Sequence, residues 1–471
     1  MMLLPPKSVY LFPSTKSHPL VAMHLLSIAC ILLMVMQPAF GQATSREGEK
    51  ASELAERSNL FVSHSVKPNI VMIVSDDQAY GDYGFMGHPV LKTPHLDRLA
   101  AQSLTFRRGY VPSSLCCPSL ATILTGRFPH QHKITGNDPP LVPGMKAGEF
   151  HKSEAFQLGR KRMNEHMAQV PTLPRLLQKQ GYVTLQTGKF WQGHYSNGGF
   201  THGMTRGERH GDDGLSIGRK TMKPIEDFLD MATQEQKPWM VWYAPLLPHD
   251  PHNPPEKYLA RTKPLTESEH IAKYWAMVEW FDDTVGQLME SLEKRGLAEN
   301  TIVVYVTDNG WIQNPDKPGY APKSKQSPYE GGVRTPIMIR WPRRVSPEFS
   351  SEFAHSIDLV PTLLTALEIP LPEGLPGVNL LDAQAVGNRK IVFGECFTHN
   401  ANDLDDPKAN LRWRWAIRDR WKLIVPNPEI ERQSELELYD LESDPSESNN
   451  LAKRQEGIAS ELLADLDAWW K

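Results

Sequence analysis

A chain of 471 residues is too long for one simple core and suits one large domain with a smaller companion. With 40% apolar and 23% charged residues, it has the make-up of a folded globular protein, which excludes a fibrous or disordered class. The net charge of −4 supplies no overall pull toward nucleic acid or an anionic membrane, so recognition of any polyanion has to be local.

Lys7 and Lys16 precede an apolar run over residues 20–36 and the small-x-small sequence Ala39-Phe40-Gly41. This reads as a secretory signal over residues 1–41, followed by a polar leader over 42–66. His24 and Ser27 interrupt the run and it is slightly short for a span, so no stable membrane span is expected after cleavage; an uncleaved anchor is the alternative. The expected location is periplasmic or extracellular. Cleavage leaves Cys116, Cys117 and Cys396, and an odd count leaves at least one outside any intramolecular disulfide. Neighbouring Cys116 and Cys117 bridge only with strain, so a disulfide scaffold is excluded.

Ile70-Val71-Met72-Ile73-Val74 is a β-branched run of strand length, buried on both faces, which points to a parallel sheet. It ends in Asp76-Asp77, at the place where open α/β sheets put their ligands. Residues 93–100 read as a helix entered through a turn. In the next stretch, Cys116 to Arg127, Pro118 suits the first helical position. Cys117 is then expected near the N-cap and Cys116 just outside it, where the helix dipole favours a thiolate or a bound anion. A buried structural cysteine is the plain alternative. Residues 137–170 are polar and read as a surface insertion, a solvated loop; it opens with Asn137-Asp138 close to the Cys116 helix, and lining the mouth of a site there is the alternative. A short helix over 172–181 precedes a strand that delivers Lys189. Another strand, Trp239 to Ala244, leads into a loop with His249 and His252, and residues 266–294 form an amphipathic helix. The run Thr301 to Thr307 is a second buried-type strand and ends in Asp308-Asn309. Set side by side, the two strand ends bring Asp76, Asp77, Asp308 and Asn309 together as an all-oxygen set. Such a set suits a hard cation, Ca²⁺ with Mg²⁺ as the alternative, rather than zinc. Composition turns to Pro, Gly and Leu around 366–390, a boundary between a domain at 67–380 and a subdomain at 390–471. There Arg412, Arg414, Arg418, Arg420 and Lys422 alternate with Trp413, Trp415 and Trp421. Extended, they give one basic and one apolar face, either solvated or able to bind a polyanionic polysaccharide.

Cys116, Pro118, Ser119 and Thr125-Gly126-Arg127 resemble the sulfatase motif Cys-x-Pro-x-Arg followed by Thr-Gly-Arg, with Leu120 in place of the arginine. Thr187-Gly188-Lys189 resembles the family's Thr-Gly-Lys-Trp-His, with Trp191 in place of the histidine; nearby His194 and His202 are the candidate replacements. Lys325 to Pro336 is similar to Lys-x-x-x-Tyr-Glu-Gly-Gly-x-Arg-x-Pro, and His249 falls on the His-x-Pro histidine. Over residues 67–455 the chain thus resembles the type I, formylglycine-dependent sulfatases of the alkaline phosphatase superfamily. The resemblance implies an α/β fold with a mostly parallel central sheet flanked by helices, and a small C-terminal antiparallel sheet-plus-helix subdomain. It implies that a maturing enzyme oxidises Cys116 to formylglycine, whose hydrate attacks sulfate esters. Asp76, Asp77, Asp308 and Asn309, with residue 116, would hold the metal. Lys189 and Lys325 would hold the sulfate, with Lys323 as the fallback for the latter, and His249 would protonate the departing alcohol. The expected substrate is a sulfated carbohydrate. Two other readings stay open: a phosphomonoesterase or phosphodiesterase of the same superfamily, and a non-catalytic sulfoglycan-binding protein in which Leu120 prevents oxidation of Cys116.

Overall fold

The computed structural model describes residues 67–470. The expected signal peptide and polar leader lie outside the described residues. The helices that matter below are α1 (Pro94–Ala101), α2 (Cys116–Thr125), α3 (Glu154–Gln169), α4 (Glu269–Lys294) and α5 (Glu456–Trp469). The strands are β1 (Asn69–Ser75), β2 (Leu104–Tyr110), β3 (Val183–Gly188), β4 (His202–Gly203), β5 (Trp239–Ala244), β6 (Thr301–Thr307), β7 (Arg334–Arg340), β8 (Glu348–His355), β9 (Ile391–Phe397), β10 (Leu411–Arg418), β11 (Trp421–Pro426) and β12 (Glu437–Asp440).

The first eight strands form one sheet in the order β4-β3-β5-β1-β6-β7-β2-β8. It is parallel from β4 to β6, while β7 runs antiparallel to both its neighbours. β1, β5 and β6 are buried along their whole length, as their unbroken apolar runs require when helices cover both faces. Alternate residues of β1 serve opposite layers. Ile70, Met72 and Val74 pack with Leu120, Ile123 and Leu124 of α2, whereas Val71 and Ile73 pack with Met277, Phe281 and Val285 of α4. Each such side chain stabilises the sandwich by roughly 1.5–3 kcal/mol. Among the described residues no helix is long and apolar enough to cross a membrane.

α4 also fixes α1. Asp282 accepts hydrogen bonds from the His95 and Leu96 amides at 3.1 and 2.7 Å, capping the helix from outside. Burial pushes its carboxyl up to about 7, despite those two donors. The folded state therefore holds this proton over a window, roughly pH 4 to 7, in which the unfolded chain has released it, so stability falls as pH rises through that window. The Asp282→Asn variant has no such proton to release, so its stability should not fall over this range, although its Nδ2 faces one of the two amide donors and lowers its stability by about 1–3 kcal/mol at low pH. Melting temperatures recorded against pH check this, and parallel curves for the two proteins would rule it out.

Two sequence expectations need correction here. The segment at 137–170 is not a solvated loop: it carries α3, capped by the Ser153 side chain on the Phe156 amide. Phe156, Arg160, Met163 and Met167 recur at i, i+4, i+7 and i+11 and form a buried stripe hidden among charged neighbours. The basic strand face of the C-terminal region is not free either. The second sheet, β12-β11-β10-β9, is antiparallel. One face packs Ala416, Leu423 and Leu438 on Leu462 and Leu466 of α5. The other contributes Trp415, Ile417 and Ile424 to the core of the large sheet. Arg412 pairs with Glu431, Arg414 with Asp467, Arg418 with Glu461 and Asp465, and Arg420 with Asp440 and Glu442. Lys422 is fully buried between Glu330 and Glu447. Each cation already has an intramolecular partner, which removes the local polyanion face.

Candidate active site

The parallel register of β1 and β6 runs from Asn69 opposite Thr301 to Ser75 opposite Thr307. Asp76-Asp77 and Asp308-Asn309 therefore leave the sheet side by side. The Asp308 amide donates to the Ser75 carbonyl at 2.9 Å, and the Asp77 amide to Asp308 Oδ1 at 3.0 Å. Asp77 sits at φ +66°, a left-handed turn that an aspartate tolerates. Asn309 Nδ2 donates to Asp77 Oδ1 at 2.6 Å, which turns its own Oδ1 away. All four side chains are buried, and Asp76 Oδ2, Asp308 Oδ2 and Asn309 Oδ1 have no hydrogen-bond partner.

Cys116 opens the helix that faces this cluster. A thiol or carboxylate atom from each of Asp76, Asp77, Cys116 and Asp308 lies within 4.8 Å of the others. The helix begins two residues earlier than the proline position suggests: Leu115 is the N-cap, and Cys116 and Cys117 are its first residues. Pro118 is tolerated at the third position because the first amides of a helix have no partner inside it. The Cys117 amide, one of these, donates to Asn137 Oδ1 at 2.9 Å. The helix stops at Gly126, whose φ of +66° and contact with Val360 leave no room for a side chain.

Two lysines complete the cluster. Lys189, just past β3, places Nζ 2.6 Å from Asp76 Oδ1 and 3.9 Å from Asp308 Oδ2. Lys325 Nζ is 2.7 Å from Asp77 Oδ2. Lys323, the alternative, turns away onto the Glu447 carbonyl and the rings of Tyr329 and Tyr439. His249 Nε2 lies 3.4 Å from Asp77 Oδ2, and its Nδ1 bonds the Asp250 carbonyl. Its loop is held against β1 by the Asp76 amide on the Leu247 carbonyl at 3.0 Å. His252 instead packs between Tyr274 and Trp311.

The electrostatics are those of a dry, densely charged pocket. Burial, opposed by Lys189, pushes the Asp76 and Asp308 carboxyls up. Burial would also raise Asp77, but Lys325, His249 and Lys189 together hold it well below the usual carboxylate range. Burial pushes the Cys116 thiol up in spite of Lys189 and Lys325, so a thiolate at the helix start is not favoured, contrary to the dipole argument. Three buried oxygens without partners, on an oxygen-rich set and beside an unreactive thiol, fit a hard divalent cation.

A family model described as Sulfatase matches residues 68–369, and one described as N-sulphoglucosamine sulphohydrolase, C-terminal, matches residues 323–469. The chain belongs to the sulfatase family. Its reaction class is the hydrolysis of sulfuric esters, and membership implies a formylglycine and a divalent metal. The chain is 28% identical to human arylsulfatase A, over 85% of this chain and 86% of the relative. It is 26% identical to the N-acetylgalactosamine-6-O-sulfatase of Bacteroides thetaiotaomicron, over 86% and 93%. A solved structure described as a complex with its substrate D-glucosamine-2-N,6-O-disulfate matches with a TM-score of 0.66 at 20% identity, covering 85% of this chain and 97% of that one.

Within this sulfatase fold, Leu120 is fully buried in the core and carries no polar group toward the pocket. Neither histidine suggested as a substitute at the Trp191 position reaches the site. His194 bonds Ser196, and His202 bonds Thr201 beside Phe228. His210, which no motif marks, packs on Trp191 with ring centroids 4.3 Å apart and lies 6.1 Å from the His249 ring. Asn137-Asp138, marked only by their position close to the Cys116 helix, bond the Cys117 amide and Arg209; Arg209 itself was missed.

Proposed function

We propose that this sulfatase hydrolyses sulfate esters of a sulfated carbohydrate, using a formylglycine made from Cys116 and a divalent cation, Ca²⁺ before Mg²⁺. The observation that carries this reading is the buried convergence of Asp76, Asp77, Asp308 and Asn309, three of their oxygens unpartnered, beside residue 116 and two lysines. Those four side chains and residue 116 would hold the cation, which supplies Lewis acidity and a template for the sulfate oxygens. Formylglycine, once formed and hydrated, supplies the hydroxyl nucleophile that a protonated, buried thiol does not. Lys189 and Lys325 bind and orient the negative sulfuryl group, where a dry site makes their charges effective. His249 would carry the proton for the departing alcohol at Nε2; because the Asp250 carbonyl takes Nδ1–H and burial with Lys189 disfavours the imidazolium, that second proton has to be acquired with the sulfate anion bound. Several carboxylate and amide oxygens converging on one point suit the larger ion, which takes more oxygen ligands.

The sugar preference draws its support from the N-acetylgalactosamine-6-O-sulfatase relative and the D-glucosamine disulfate complex. Export to the periplasm or outside the cell rests on the signal-like run at 20–36, and the maturing enzyme is the partner that a formylglycine demands. We assign the catalytic part to residues 67–380 and the subdomain to 390–471. Intact mass of the peptide spanning Cys116, from protein made in its native host, tests the reading. Conversion exchanges the sulfur for a carbonyl oxygen and leaves an aldehyde that hydrazides capture. A free thiol at residue 116 would favour the non-catalytic alternative. Rates on matched sulfate and phosphate monoesters separate sulfatase from phosphatase action, with the sulfate expected to react faster.

A further inference from the structure

The loop after β4 carries His210 at φ +75°, in the left-handed region that few residues other than glycine adopt. Its surroundings hold it there. The His210 carbonyl accepts from the Phe190 amide at 2.9 Å, directly after Lys189. The following Gly211 approaches so closely that a Cβ would sit 2.5 Å from the Gly188 carbonyl oxygen. The loop is thus pressed onto the turn that delivers Lys189, and backbone strain of this kind gathers at functional sites.

The ring is oriented from both sides. Trp191 meets it edge to face, with an interplanar angle of 80°. Arg209 Nη1 lies 2.8 Å from His210 Nε2. A guanidinium only donates, so Nε2 is the acceptor and the ring proton sits on Nδ1. Arg209 is itself clamped by Asp138, Nε on Oδ1 and Nη2 on Oδ2, each at 2.7 Å. Asp138 is 2% exposed and follows Asn137, the residue that takes the Cys117 amide. One segment, 137–138, therefore both caps the helix of residue 116 and fixes the tautomer of His210 through Arg209. Among the described residues no hydrogen bond takes His210 Nδ1.

The titratable groups that act on this ring are Lys189, Arg209, His249 and Lys325. With Lys189, Arg209 and Lys325 as cations around it, and His249 held neutral by burial, a neutral donor completes an anion pocket without adding another repelling charge. We propose that His210 donates its Nδ1 proton in a hydrogen bond to an oxygen of the bound sulfuryl group, and that Arg209 is the positioning residue that keeps that proton on Nδ1. This rests on the sulfatase reading above. No proton is transferred in the contact.

The test uses the full-length, metal-loaded protein and two probes: inorganic sulfate, followed by calorimetry, and 4-nitrophenyl sulfate turnover. His210→Ala should lower kcat/KM by about 100-fold, the scale for losing one donor to a developing oxyanion. It should also weaken inorganic sulfate binding about tenfold if one good hydrogen bond is lost. His210→Asn keeps a side-chain N–H near Nδ1 and suits a left-handed backbone, so it should recover most of both losses. Arg209→Met should give a partial loss and a pH profile that moves toward ordinary imidazole, because the second tautomer and the protonated ring become accessible. His210→Ala matching wild type in both probes would overturn the inference. So would a folded His210→Asn as impaired as the alanine variant. Sulfate binding that depends on His210, in a protein that turns over no sulfate ester, would uphold this contact and reject the hydrolase reading. Turnover that ignores His210 would do the reverse.

Discussion

Replacing Cys116 with alanine is expected to abolish sulfate-ester turnover, by at least about four orders of magnitude, the scale on which loss of a covalent nucleophile acts. The fold should survive. Cys116 is buried at the first position of α2, but the helix is held by Leu120, Ile123 and Leu124 on β1 and by Asn137 on the Cys117 amide. Removing one sulfur from this core costs about 1 kcal/mol. The oxygen cluster should survive too, since Asp77, Asp308 and Asn309 bond one another rather than the thiol. Calcium binding by the variant, measured by calorimetry, should then stay within about tenfold of wild type if residue 116 supplies only one ligand among several. The two readouts together separate loss of the nucleophile from loss of the site. Measurable turnover in a metal-loaded, folded Cys116→Ala protein would refute the assignment of residue 116.

How far the sequence led depends on how local each signal is. The pocket carboxylates were legible because they sit one or two residues past apolar, largely β-branched strands; whether the two strands are neighbours was not legible, and the register of β1 on β6 answers it. The lysines were legible through the motifs around them. α3 was not, because its apolar stripe is a few residues long and Arg160 interrupts it, buried by bonding the Asn137 and Trp191 carbonyls. The basic strand face misled for a related reason. Its partners lie far along the chain, on α5 and on the turn around Glu447, and alternation within a strand says nothing about them. His210 was invisible because an irregular backbone near Gly207 and Gly211, with no periodicity to read, carries it to the pocket.

That misread strand face supplies the largest expected effect on stability. Lys422 on β11 is 0% exposed, with Nζ 3.1 Å from Glu330 Oε1 and 3.0 Å from Glu447 Oε1. The contact to Glu330 is a hydrogen bond, whereas the one to Glu447 is off-angle and acts as a charge contact. Glu330 also accepts from Tyr110 and Arg334, and Glu447 Oε2 takes the Glu330 amide at 2.7 Å. Burial alone would lower the Lys422 pKa, but Glu447 and Glu330 outweigh it and raise it, so the ammonium stays charged in the dry interior. Lys422→Met strands Glu447 without its cation and leaves Glu330 with Arg334 alone, and is expected to cost about 3–5 kcal/mol, read from denaturant unfolding. Lys453→Met removes the exposed pair with Glu435 and should cost less than about 1 kcal/mol. Because a buried pair is strong only against the loss of one partner, the double variant Lys422→Met, Glu447→Gln, which leaves Glu330 on Arg334, should recover much of the stability. The consequence reaches the pocket. Glu330 and Lys325 share one loop, the Gln326 carbonyl of that loop accepts from Arg412, and Lys323 bonds the Glu447 carbonyl. Loosening this junction should displace Lys325 from Asp77 and, with the anion-binding role proposed for Lys325, raise KM for a sulfate ester more than it lowers kcat. Equal losses from Lys422→Met and Lys453→Met would mean that the small sheet does not anchor the lysine, and that the loop holds its position by its own bonds alone.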